Sequence, residues 1–173
     1  MRHFPVQLPL PSGWRTEEDL RRWRAEYDLS PTVPGPADLG AVPWDRCLCS
    51  DVERARVTAE TVFPGPVEPV PLLFREPESA PFGTGRVRLP MRLWRVVFGL
   101  SWAMGHPSQR ACRDDFQRRV SAAADLLEAL PGNTMVVSHA GMMMFLSAEL
   151  RRRGFTGLKL RLARHATLHT YTR

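Results

Sequence analysis

Apolar positions recur at helical spacing in five stretches of the chain. Thr16 to Tyr27 puts Leu20, Trp23 and Tyr27 on one face, which predicts a helix. Ser50 stands three residues before Glu53 in a capping-box pattern, and it predicts a second helix to about Val62. Val52, Ala55, Ala59 and Val62 or Phe63 would face inward there, and Pro64-Gly65 would end the helix. Arg88 to Met104 reads as a helix with a wide apolar face. Ser108 would cap a fourth, in which Cys112, Phe116, Val120, Ala123, Leu127 and Leu130 recur. Gly141 to Arg153 is a fifth, closed by Gly154.

Short apolar runs lie between these helices. Arg46–Cys49, Val67–Leu73 and Thr134–Ser138 read as strands, residues 1 to 3 as the tail of another, and Thr167–Thr172 as a last, edge-like strand. Pro5–Pro11, Ser30–Pro43 and Glu76–Gly85 read as loops. Strands that alternate with helices predict an α/β domain whose largely parallel sheet is covered on both faces. The 173 residues suffice for one such domain, spanning 1–173.

Ligands of parallel sheets bind beyond the carboxyl ends of the strands. His3, the Ser50–Arg54 turn, Glu76 and His139 each follow a predicted strand. The architecture therefore gathers two histidines, two arginines (Arg2 and Arg54) and a carboxylate on one sheet edge. That set suits phosphoryl transfer. A neutral imidazole can attack phosphorus and split one hard step into two. Arg2 and Arg54 can grip the equatorial oxygens, and a protonated His139 can donate to another. Glu76 can protonate the leaving oxygen and then activate water. The set needs neither metal nor cofactor.

Composition adds little. The net charge is +6, and Lys159 is the only lysine, so nearly all the positive charge is arginine, whose planar fork fits phosphate. Most of these arginines read as solvated. No apolar run reaches membrane-span length, since Arg92 and Arg95 interrupt Leu89–Gly105. No signal peptide follows Met1, so the cytoplasm is the default location. Cys47, Cys49 and Cys112 match no zinc spacing, and Cys47 and Cys49 share a strand face, so buried free thiols are expected.

Four segments resemble those of the histidine phosphatases, the phosphoglycerate mutase-like superfamily: Arg2-His3, Ser50-Asp51-Val52-Glu53-Arg54-Ala55, Phe74-Arg75-Glu76 and Val136-Val137-Ser138-His139-Ala140-Gly141. They occur in the family's order and span nearly the whole chain. The resemblance implies a three-layer α/β/α sandwich and a phosphohistidine intermediate at His3. It also implies phosphate contacts from Arg2, Arg54 and His139, with Glu76 as proton donor. The chain departs from the pattern at Phe4 and Ala140, where the family has glycine. Phe4 either reshapes the loop or lines the leaving-group pocket, where Trp94 and Ala140 are further candidates and Trp102 is worth watching. Glu78 rivals Glu76 as the acid. The family's first strand is truncated here. Only Met1 precedes Arg2-His3, so either the reading frame starts upstream or the strand is shortened, and His3 is expected beside a fraying end.

Taken singly, His139 reads as a helix cap, His3 as exposed and Glu76 as solvated. His106, His165 and His169 show no partners, and the Leu93–Trp102 face reads as core or as a lid. The leading expectation is a phosphatase for a small phosphorylated metabolite. A catalytically weak phosphate- or nucleotide-binding module of the same fold is the alternative. A mutase would need longer segments, and a protein phosphohistidine phosphatase matches the acid segment less well. Nucleic-acid binding lacks a stacking platform, no membrane partner is expected, and oligomeric state is silent.

Overall fold

The computed structural model describes residues 1–173. In chain order its elements are β1 (Trp14–Arg15), α1 (Glu17–Leu29), β2 (Arg46–Ser50), α2 (Glu53–Val62), β3 (Val67–Val70), β4 (Leu89–Pro90), α3 (Met91–Ala103), α4 (Arg110–Ala129), β5 (Thr134–Val137), α5 (Ala140–Arg152), β6 (Thr156–Gly157) and β7 (Tyr171–Thr172). The main sheet runs β3-β2-β5, all parallel. Beyond β5 the opening residues continue it: Arg2 bridges Ser138 on one side and His165 on the other, both in parallel.

Alternation along β2 and β5 builds the layers. Cys47, Cys49, Met135 and Val137 face α2 and pack with Met1, Ala55, Ala59 and Phe63. Leu48 points the other way, into a cluster with Phe74, Phe116, Val120, Met142, Leu146 and Leu150, most of which come from α4 and α5. One sheet thus carries helices on both faces, the α/β/α layering that the sequence resemblance implies. Burial pushes the Cys47 thiol up to about 12 and the Cys49 thiol up to about 11, which leaves both as protonated packing groups. No helix is long and apolar enough to cross a membrane.

Several sequence expectations change. The opening residues do not fray: Met1 and His3 are buried, and the strand is paired on both sides. His3 N–H donates to Ser138 O, Ser138 N–H to Met1 O and Ala166 N–H to Arg2 O, each at 3.0 Å. Ser50 does not cap α2. Val52 holds the N-cap position without a side-chain bond, because Ser50 ends β2 and spends its hydroxyl elsewhere. Ser108 sits inside a 3-10 turn (Pro107–Gln109) whose cap is His106. β3 stops at Val70, where Pro71 and the positive φ of Leu72 (62°) turn the chain; Pro69 lacks a ladder donor, which suits an edge strand. The expected last strand shrinks to Tyr171–Thr172 and pairs antiparallel with β6, outside the main sheet. Thr16 caps α1 in a complete capping box with Asp19.

Candidate active site

His3, His139 and Arg54 meet at the carboxyl end of the sheet. The rings of His3 and His139 lie 5.1 Å apart, edge to face. All three side chains are buried. His3 Nδ1 lies 2.6 Å from the Phe4 carbonyl oxygen. A carbonyl only accepts, so Nδ1 carries the proton and Nε2 is the bare nitrogen. Arg54 Nε donates to that Nε2 at 3.3 Å. Burial, with Arg54 as a further cause, holds the His3 pKa down to about 3. His3 is therefore a neutral imidazole whose lone pair faces a guanidinium.

Arg54 is fixed on three sides. Its Nη1 donates to Asp28 Oδ1 at 2.6 Å, and its plane lies over Tyr27 at 5.1 Å, so the end of α1 positions it. His139 Nε2 sits 2.9 Å from Ser50 Oγ, while its Nδ1 is buried without a partner. Burial, then Arg54 and His3, hold His139 well below the usual imidazole range, so it is neutral in the free protein. A protonated His139, the condition on which it was expected to donate as a cation, therefore needs an arriving dianion to raise its pKa. Arg2 donates through Nη1 to Ala163 O at 2.9 Å and leaves a buried Nε without a partner. Arg2 Nε and His139 Nδ1 are thus both buried and orphaned, and a buried polar atom of this kind calls for an acceptor or donor to complete it.

Glu76 is placed by its neighbours. Arg75 forms a two-pronged ion pair with Asp51 at 2.8 Å, Arg119 donates to Arg75 O, and Ser138 Oγ donates to Phe74 O. The Glu76 carboxylate then accepts the Gly141 N–H at the start of α5, at 2.9 and 3.2 Å. Burial raises its pKa and outweighs that bond and the nearby Arg24, Arg2 and Arg54. Glu78 is exposed and lines the cleft between α1 and α3, whereas Glu76 is held against the start of α5.

A cleft of about 370 Å³ opens beside this centre, between α1 and α3. Trp23, Arg24, Pro77, Arg95 and Phe98 line it, as does Asp28, the partner of Arg54. Trp94 borders it but is buried, donating to Arg15 O at 2.7 Å, so it acts as a structural wall. The Leu93, Val96, Val97 and Leu100 face of α3 is neither core nor a closed lid, since all four are exposed. Trp102 packs against Phe116 and Phe145, away from the cleft. Phe4 is fully buried and does not line it either; the Phe4 main chain is engaged at both ends, by Thr58 and His3, and this turns its ring inward. Ala140 is half-buried at the first position of α5.

Sequence reasoning missed three contributors. His165 lies against His3, with ring centroids 5.1 Å apart, and its Nδ1 donates to His3 O at 2.8 Å. Asp28 and Ser50 hold Arg54 and His139. Asp28 and His165 gave no local signal, and the Ser50-x-x-Glu53 spacing pointed to a cap instead.

Two expected outcomes follow from this geometry. A Cβ on Gly141 would lie 2.7 Å from Glu76 Oε1 and 2.9 Å from the Pro77 ring, so Gly141→Ala should push the carboxyl out of place. If Glu76 is the proton donor, the variant should lose about tenfold or more on esters with poor leaving groups and much less on activated aryl esters. Equal losses on both would reject that role.

The second concerns acid stability. The folded-state pKa of His3 is depressed, so its contribution is complete above the unfolded value of about 6.5 and is lost as pH falls toward about 3. The slope is about 1.4 kcal/mol per pH unit for one such imidazole, and His139 acts in the same direction. Melting temperature should fall between pH 7.5 and 5, less steeply in His3→Gln. A flat profile would contradict the buried neutral pair.

A family model described as the histidine phosphatase superfamily (branch 1) matches residues 36–171. That span contains Arg54, Glu76, His139 and His165 and begins after His3 and α1. Among curated proteins, the chain is similar to an adenosylcobalamin/alpha-ribazole phosphatase of Salmonella typhimurium, 32% identical over 120 residues, or 65% of this chain and 59% of that protein. The chain therefore spans less than two thirds of the length of the curated relative it matches. No solved structure matches.

Proposed function

Because the chain belongs to the histidine phosphatase superfamily (branch 1), we propose that it hydrolyses a small phosphomonoester through a phosphohistidine at His3, without a metal. The observation that carries this reading is the state of His3: Nδ1–H tied to Phe4 O, Nε2 bare and facing Arg54. Nε2 attacks phosphorus, and the bond from phosphorus to the ester oxygen breaks. Protonated Glu76 gives its proton to the departing oxygen. The Glu76 carboxylate then takes a proton from water, whose oxygen attacks phosphorus. The N–P bond breaks, and phosphate and neutral His3 remain.

Positive charge for the equatorial oxygens comes from Arg54 and Arg2. Arg2 Nε, lacking a partner, is free to donate. At His139, the tautomer in which the Ser50 hydroxyl donates to Nε2 carries its proton on the unpartnered Nδ1 and makes Nδ1–H the donor to phosphate. The leaving group occupies the cleft between α1 and α3. The relative's name points to alpha-ribazole and adenosylcobalamin as leaving groups to test; a cleft of about 370 Å³ suits the smaller of the two.

The competing reading is a binding module with little turnover. It is favoured by Asp28, whose carboxylate occupies a donor of Arg54 that phosphate would use. Incubation with an aryl phosphate in excess chelator, followed by alkaline trapping of acid-labile phosphate, separates the two. Turnover with label on His3 supports the phosphatase. Phosphate binding without turnover supports the module, and turnover that requires added metal rejects the mechanism.

A further inference from the structure

We infer that His165 is a positioning residue for the nucleophile, holding the His3–Phe4 peptide in the orientation that ties His3 Nδ1 and frees Nε2. The inference rests on the phosphatase reading for its kinetic form, but its geometry stands apart from it. A peptide unit is planar, so fixing its two polar ends fixes its orientation. One end, His3 O, accepts from His165 Nδ1 at 2.8 Å. The other, Phe4 N–H, donates to Thr58 Oγ1 at 2.9 Å, and Thr58 is itself anchored to Arg54 O at 2.6 Å.

The next carbonyl along the chain, Phe4 O, is the acceptor for His3 Nδ1. Rotation of the His3–Phe4 peptide would carry Phe4 O away from the ring and release the tautomer. His165 also meets the His3 ring edge-on from one side while His139 meets it from another, with both pairs at 5.1 Å. The adjacent ladder bond from Ala166 N–H to Arg2 O keeps His165 in register. Since His3 O can only accept, His165 Nδ1 carries a proton. Burial first, and Arg2 after it, lower the His165 pKa, so it donates as a neutral ring. The charged and titratable groups facing His3 are Arg2, Arg54, His139 and His165.

Three substitutions test this. His165→Leu and His165→Ala remove the donor and should lower kcat by about ten- to a hundredfold, with KM changed little, because the loss is one of alignment. His165→Asn places a side-chain N–H at the same distance from Cβ and should restore most of kcat. Full kcat in His165→Leu, or no advantage of Asn over Leu, overturns the inference. Should His165→Ala fail to fold, the comparison of Asn with Leu still decides.

If the wild-type protein shows no turnover, the phosphatase reading fails by itself, and histidine nitrogen NMR takes over as the readout. His3 should be a single Nδ1-protonated tautomer in the wild type and in His165→Asn, and a mixture in His165→Leu. An unchanged single tautomer in His165→Leu overturns the positioning role.

Discussion

His3→Ala is expected to lower kcat for an aryl phosphate by roughly 10⁴- to 10⁶-fold. His3 presents an unprotonated imidazole nitrogen to the Arg54 guanidinium, the group that the proposed covalent step requires. The residual rate would come from the arginines and Glu76 acting on bound ester and water. Vanadate or phosphate binding should persist, because Arg54 and Arg2 remain. The variant is best compared with wild type by steady-state rate, by anion affinity and by acid-labile phosphate trapped on the protein. A variant that keeps more than a hundredth of the wild-type rate, or that still forms the adduct, would rule out His3 as nucleophile.

Arg54→Met should reduce kcat/KM by about 10²- to 10³-fold, the usual cost of removing one preorganised donor from a developing anion. It should also change the pH profile in a defined direction. Attack needs neutral His3, so activity falls below the His3 pKa. In the wild type that acid limb is expected well below the ordinary imidazole value, because burial and Arg54 depress the His3 pKa. Removing the Arg54 charge and its donation to Nε2 raises this pKa, and the limb moves to higher pH. Burial is the largest cause of the depression and is kept, so the limb stays below about 6.5. Rates measured across pH for both proteins check this. A rate loss with an unmoved limb would mean that Arg54 grips phosphate without tuning the nucleophile. Loss of Asp28 in place of Arg54 should have a smaller effect, because Tyr27 and His3 still orient the guanidinium.

Stability and catalysis draw on the same burial. The centre keeps two imidazoles uncharged by excluding water from them, and so stores a dependence on pH that an exposed pair would lack. Glu76 works in the opposite sense. Its raised pKa means that the folded protein holds a proton just above the ordinary carboxylate value, a window in which the unfolded chain has already released it. One water-poor pocket thus favours a neutral base at His3 and a neutral acid at Glu76, the pair of states that the proposed first step requires.

What the sequence determined was local. The spacing of Phe116, Val120 and Ala123 made α4 legible, and the alternation of Cys47, Leu48 and Cys49 divided the two faces of the sheet. The order of four short segments placed His3, Arg54, Glu76 and His139 at strand ends, because a parallel sheet turns that order into a shared edge. The tertiary structure decided everything that depends on contact across the chain. His165 reaches His3 over 162 residues, and Arg54 reaches it over 51. Ser50 looked like a cap until His139, 89 residues away, took its hydroxyl. Periodicity and capping report on neighbours within a few residues, whereas hydrogen-bond partners and protonation states are set by whichever groups the packed sheet brings together and by how much water it excludes.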